Sequence, residues 1–184
     1  MTRRLFLVLA CLIVAAAQAS AQSKTTLVIL VRHAEKAANP AADPSLTEAG
    51  FARARALAAA LANTNVQAVI TTELVRTRET ARPFAESRRL TPEIVHTGAR
   101  DAHASAVADA VRAHAGQAVL VVGHSNTIPA IIAALGGPKL PDICDTQYSN
   151  LFVLLVGEGR ADLVVSSYGA PSVDPLMTCP SSLR

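Results

Sequence analysis

The sequence predicts a three-layer α/β/α domain, with a mostly parallel central sheet, helices on both faces and a closing β-hairpin. Three observations predict it. Short apolar runs alternate with segments of helical periodicity, as βα units require. The first run, Leu27 to Val31, is continuously apolar, as a strand buried between two helical layers should be. The last two runs, Leu151 to Val156 and Leu163 to Ser167, are joined by Gly157 to Gly159 and read as a hairpin. Composition agrees: 51% hydrophobic and 17% charged residues over 184 positions imply one packed domain rather than disorder. With only 3% aromatics, that core must be built from Ala, Val, Leu and Ile.

Each element has a local reason. Ser45-Leu46-Thr47-Glu48 offers capping options, with Ser45 and Glu48 at capping-box spacing. The helix that follows runs to about Leu61, with Ala49, Ala52, Ala56, Leu57, Ala60 and Leu61 on its apolar face and Arg53 and Arg55 off it. Val66 to Ile70 is the second strand. Thr71 and Thr72 are placed to cap a helix from Glu73 to Ser87, which Pro83 should bend or end early. Glu93 to His96 is a short third strand, and Asp101 stands where it would cap the next helix, which carries Val107, Ala110, Val111 and His114. Ala118 to Val122 is the fourth strand. Ser125 or Asn126 caps a helix to about Leu135, stopped by Gly136-Gly137-Pro138.

Residues 1–21 read as an export signal, leaving residues 22–184 as a single domain. Arg3 and Arg4 precede the apolar stretch Leu5 to Ala17, and Ala19-Ser20-Ala21 supplies the small-residue cleavage pattern. The stretch is too short to span a bilayer, so no stable membrane insertion is expected after cleavage behind Ala21. Thr2 to Leu7 resembles a twin-arginine signal, while the apolar stretch also suits the general secretory route. Cleavage removes Arg3 and Arg4 from a formal charge of only +3, which takes away electrostatic support for a nucleic-acid partner. A periplasmic or secreted location is expected. Cys11 leaves with the signal, and the remaining Cys144 and Cys179 are expected to form a disulfide in an oxidising compartment. Closing that loop of about 35 residues should stabilise by about 3–4 kcal/mol in the chain-entropy model.

Chemistry concentrates at three strand ends. Val31 is followed by Arg32 and His33, Ile70 by Thr71, Thr72 and then Arg76, and Val122 by Gly123, His124, Ser125 and Asn126. Ligands of open α/β sheets bind beyond the carboxyl ends of the strands. If the three strands are parallel neighbours, two arginines and two histidines converge there. Arg76, early in its helix, can lean back toward the same spot. The helix beginning near Ser125 aims its positive end there as well. Such a site suits a dianion, with phosphate the obvious one.

Here the residues match a family. Leu30-Val31-Arg32-His33-Ala34-Glu35-Lys36 resembles the Arg-His-Gly signature of the histidine phosphatase (phosphoglycerate mutase-like) superfamily, with Ala34 where Gly is usual. Leu46-Thr47-Glu48-Ala49-Gly50 resembles its Leu-Thr-x-x-Gly element, and Thr71 to Ala81 its Ser-Ser-x-Leu-x-Arg-Ala-x-Gln-Thr-Ala segment. Val121 to Asn126 is similar to the segment bearing the second histidine. The elements come in family order and cover most of residues 26–135.

The resemblance implies a phosphoglycerate mutase-like fold and roles for these residues. His33 would attack phosphorus and carry the phosphoryl group, with its ring kept neutral beside Arg32 and Arg76. Arg32, Arg76 and His124 would hold the phosphoryl oxygens. No cofactor or metal is implied, and no His-Glu-x-x-His or Cys/His ligand spacing occurs. The proton donor for the leaving oxygen is open between Asp101 and Glu35. Lys36, Arg78 and Arg100 either widen the anionic pocket or are solvated surface. Asp145, Tyr148 and Asn150 are candidates for the pocket rim, whereas His96, His103 and His114 read as surface or helix-face residues. The implied substrate is a phosphomonoester or phosphoramidate, on a small molecule or a phosphoprotein.

Two rivals remain at this level. Gly123-His124-Ser125-Asn126-Thr127 resembles the Gly-x-Ser-x-Gly elbow of serine esterases, with Ser125 as nucleophile, but Thr127 replaces the second glycine. The other is a catalytically silent, exported phosphate-binding module.

Overall fold

The computed structural model describes residues 25–157 and 161–172; the expected export segment, Cys179 and part of the hairpin turn lie outside the described residues. Six strands form one sheet: β1 Thr26–Arg32, β2 Val66–Thr71, β3 Glu93–Ile94, β4 Ala118–Gly123, β5 Asn150–Val156 and β6 Ala161–Ser167. Their spatial order is β3-β2-β4-β1-β5-β6. The first four are mutually parallel, while β5 runs antiparallel to β1 and β6 antiparallel to β5. The mostly parallel sheet with its closing hairpin is therefore present.

Alternation along β1 explains the three layers. Val28 and Leu30 join one buried cluster, with Val107 and Val111 of helix α3 (Arg100–Ala113) and Ile128, Ile131 and Ile132 of helix α4 (Thr127–Ala134). Ile29 and Val31 join the other, with Leu57 of helix α1 (Glu48–Ala60) and Phe84 of helix α2 (Val75–Arg88). Both faces of one strand are apolar because both are covered.

Register then sets where the site lies. Val31 pairs with Val122, Thr71 also pairs with Val122, and Arg32 pairs with Gly123. The carboxyl ends of β1, β2 and β4 are level, so the residues just beyond them emerge side by side.

Several local expectations are corrected. In α1 the buried residues are Gly50, Arg53, Ala54 and Leu57, while Ala49, Ala52 and Ala60 are exposed. Alanine gains little from burial, so an alanine-rich helix has a weakly defined face, and a charged partner for Arg53 decides its rotation. Thr47, not Ser45, caps this helix, accepting from Gly50 N at 3.1 Å. The Ser45 hydroxyl instead donates to Glu79 at 2.7 Å.

Helix α2 starts at Val75 rather than Glu73 and passes through Pro83 to Arg88. Thr80, Ala81, Phe84 and Ala85 are buried on both sides of the proline, and that packing holds the helix despite the missing N–H. β3 is only Glu93–Ile94, and α3 is capped at Ala99, with Asp101 in its first turn and exposed. Asn126 occupies the cap position of α4 without a side-chain bond. Gly136, at φ +89°, and the Gly137 N–H donating to Ile132 O end that helix at the expected place.

Candidate active site

His33 is the first residue past β1, and its N–H donates to Gly123 O at 2.9 Å. The imidazole Nδ1–H donates to the Ala34 carbonyl at 2.8 Å, which fixes the tautomer and leaves the Nε2 lone pair available. The residue is 3% exposed. Burial drives its pKa down to about 3, against the pull of the Ala34 carbonyl, with Arg32, His124 and Arg76 adding to the fall. The ring is neutral at any ordinary pH.

His124 follows Gly123, where a Cβ would lie 2.9 Å from Ile128 Cδ1 and 3.1 Å from Thr127 Oγ1. Glycine therefore lets β4 turn tightly onto α4. The His124 N–H donates to Thr127 Oγ1 at 3.0 Å, and its Nε2 lies 3.3 Å from Thr72 Oγ1. Thr72 in turn lies 2.9 Å from Thr77 Oγ1, which donates to Leu74 O at 2.8 Å. Burial, followed by Arg76 and His103, lowers the His124 pKa to about 4, with Glu73 opposing. The His33 and His124 ring centroids are 5.5 Å apart.

Two guanidiniums complete the set. Arg32 ends β1, and its Nη1 donates to the carbonyls of Cys144 at 2.8 Å and Gln147 at 3.2 Å. Arg76 occupies the first turn of α2, 3.8 Å from Asp43, whose Oδ1 also accepts from Val75 N at 2.9 Å. A threonine couples this helix to the nucleophile: Thr80 Oγ1 donates to Arg76 O at 2.7 Å and accepts from Ala34 N at 2.9 Å. The Nε atoms of both Arg32 and Arg76 are buried with no hydrogen-bond partner. A buried unpaired donor costs about 1–3 kcal/mol, so the pair marks a place prepared for an acceptor. The four groups singled out from the sequence thus come together at the level strand ends, with Ala34 fully buried where the signature has Gly.

Other expectations are corrected. Asp101 lies on the α3/α4 side of the molecule, beside Arg100, Pro129, Lys139 and Leu140, in a depression that includes none of those four groups. Glu35 is held by Arg53, with Nε at 2.9 Å and 3.0 Å from its two oxygens and Nη2 at 2.7 Å. Its role is to neutralise a buried arginine. Arg100 pairs with Asp142 at 2.8 Å, Arg78 lines a groove between α2 and β3, and Lys36 is exposed, so none of them widens the site. His103, read as a surface or helix-face residue, is buried, and its Nδ1 donates to His96 O at 2.9 Å.

Sequence reasoning missed Arg53 and the hydroxyls of Thr72, Thr77 and Thr80. The signal for the threonines was their density between residues 71 and 80, where a chain buried beside two histidines needs hydroxyls to satisfy polar groups. Among the described residues, no cluster of three or more His, Cys, Asp or Glu is placed to hold a metal, and no helix is long and apolar enough to cross a membrane. No histidine among them hydrogen-bonds Ser125.

Comparison with known proteins agrees with this arrangement. Residues 28–101 match the family described as the histidine phosphatase superfamily (branch 1). No curated protein sequence matches the chain. Among solved structures, YhfR from Bacillus stearothermophilus is similar at a TM-score of 0.62 and 20% identity, covering 76% of this chain and 96% of that one. The protein histidine phosphatase SixA, complexed with tungstate, gives 0.62 and 20%, covering 77% and 96%. A phosphoserine phosphatase from Entamoeba histolytica, complexed with 3-phosphoglyceric acid, gives 0.55 and 16%, covering 79% and 98%. At these identities the neighbours establish the fold. The chain thus has the fold of these phosphatases, and its residues 28–101 are similar to the histidine phosphatase superfamily.

Proposed function

We propose that this chain is a metal-independent phosphatase that hydrolyses a phosphomonoester or phosphoramidate through a phosphohistidine on His33. The observation that carries the proposal is a neutral, oriented imidazole set beside two buried arginine Nε–H groups that lack partners. Nε2 of His33 attacks phosphorus. A P–N bond forms as the bond to the leaving atom breaks, and the leaving group departs with its electron pair. Water then attacks phosphorus, the P–N bond breaks and inorganic phosphate is released. Arg32 and Arg76 neutralise the phosphoryl oxygens throughout, supplying the positive charge that a metal provides in other phosphoryl transfers. His124 adds a further hydrogen-bonding group next to the nucleophile.

The leaving group narrows the substrate class. Glu35 is bound to Arg53, and Asp43 is bound to Val75 N and Arg76. Glu73 is bound to Thr97, whose hydrogen bonds outweigh burial and hold the carboxyl at about 2. All three serve as acceptors, and none is set to donate a proton. Good leaving groups, such as a phenolate or the imidazole of a phosphohistidine, are therefore favoured over simple alkoxides. The same proposal places the mature chain in the periplasm or outside the cell, after cleavage behind Ala21 and with Cys144 joined to Cys179.

The test uses the full chain with an aryl phosphate. Steady phosphate release, a base-stable, acid-labile phosphoenzyme in wild type and loss of both in His33→Ala support the reading. Binding of phosphate without turnover would favour the silent module instead. Amino-terminal sequencing of the exported protein tests the cleavage site.

A further inference from the structure

Arg32 is held on every side but one. Its Nη1 is fixed in the guanidinium plane by the carbonyls of Cys144 and Gln147. Its Nη2 is 3.5 Å from Asp145 Oδ1, but that carboxylate is 96% exposed, and such a long, solvated contact holds little. In-plane bonds at one nitrogen leave the plane free to rock about them. The face of the guanidinium is covered by Tyr148, whose ring centroid lies 4.2 Å from Cζ. Nε is buried and without a partner.

The tyrosine itself stands on a rigid base. Its N–H and that of Ser149 both donate to Ser172 Oγ at 2.8 Å, and Ser172 N returns a bond to Ser149 Oγ at 3.3 Å. Asn150 then enters β5, which pairs with β1 with Val31 opposite Leu151. The Tyr148 ring is consequently carried past the end of β1 to lie 6.2 Å from the His33 ring, tilted by 56°.

Resting on the phosphatase reading above, we infer that Tyr148 is a positioning residue. Its π face locks the Arg32 guanidinium so that Nε–H points at the phosphoryl group, and the phenol hydroxyl takes no part. A cation–π contact of this kind, partly removed from water, has the strength to stop the guanidinium rocking about its Nη1 bonds. Misaiming a single donor by a fraction of an ångström is costly in phosphoryl transfer, where catalysis is mainly positioning and charge stabilisation.

The experiment compares Tyr148→Phe and Tyr148→Leu in the full chain, with an aryl phosphate as substrate and inorganic phosphate as inhibitor. Tyr148→Phe should stay within twofold of wild type. Tyr148→Leu should lose about tenfold in kcat/KM and weaken phosphate inhibition by a similar factor. In an Arg32→Ala background, Tyr148→Leu should change nothing further, because the group it orients is gone. Additive losses in the double variant, an unchanged Tyr148→Leu, or a Tyr148→Phe as impaired as Tyr148→Leu would each overturn the assignment. A wild-type protein with no turnover and no phosphohistidine sinks the phosphatase reading itself, a result distinct from these.

Discussion

The imidazoles of His33 and His124 meet edge to edge-tilted face, with centroids 5.5 Å apart and planes at 61°. Two histidines this close stay neutral, chiefly because burial disfavours the charged form, with Arg32 and Arg76 adding repulsion. One ring thus keeps a lone pair for attack while the other stands by to assist. His33→Ala should reduce turnover to background. His124→Ala should lower kcat by about 10²–10³-fold, the scale of losing one transition-state donor. Steady-state kinetics with matched thermal midpoints checks both.

Acid should act on stability through the same pair. The folded pKa values, about 3 for His33 and about 4 for His124, lie below the ordinary 6.5. Between pH 6.5 and 4 the unfolded chain binds protons that the folded chain refuses, so stability rises with pH across that window. Above 6.5 these residues add no pH dependence. Denaturant midpoints should therefore fall from pH 6.5 toward 4, and His33→Asn should flatten part of that slope. An equal slope in the variant would show that other groups dominate.

Glu35 and Arg53 predict a structural rather than a catalytic phenotype. The Arg53 side chain is 5% exposed, and its Nη1 also donates to Tyr168 O at 3.2 Å and Ala170 O at 3.0 Å. Glu35→Ala would leave a buried cation without its counter-charge, at a cost of about 2–3 kcal/mol given that Glu35 is partly solvated. Gly50 stands against the same segment, where an added Cβ would sit 2.2 Å from Glu35 O. Gly50→Ala should lose about 2–3 kcal/mol through overpacking. Chemical denaturation measures both.

Asp101→Asn should leave kcat and kcat/KM for any phosphoester unchanged, since the residue lines a depression that includes none of the four site groups. With Glu35, Asp43 and Glu73 all held as acceptors, rates should instead fall steeply as the leaving group becomes more basic. A series of substituted aryl phosphates extended to an alkyl phosphate measures that slope. A flat dependence would reveal a proton donor.

Reduction of the exported protein should lower activity as well as stability. The Cys144 carbonyl is one of two that hold Arg32, so freeing the proposed Cys144–Cys179 link slackens the loop that aims it. Thiol titration of the denatured, unreduced protein should find no free cysteine in the mature chain. Two reactive thiols would remove the link and this effect with it.

The sequence by itself determined the layering and the chemistry. A short continuous apolar run such as Leu27 to Val31 suits a strand covered on both faces, and with such runs as strands the polar clusters after Val31, Ile70 and Val122 emerge at strand ends. Arg32, His33, Arg76 and His124 were legible for that reason, because they follow apolar runs whose pairing in the sheet brings their ends level. What only tertiary structure decided were the partners. An alanine-rich helix has too weak a periodic signal to fix its rotation, so Arg53 and Glu35 found each other through packing. Pro83 was overridden by the burial of its neighbours. Which carboxylate is free depends on which cations the fold brings to it, as Arg53 is brought to Glu35, and such contacts join residues far apart in the chain.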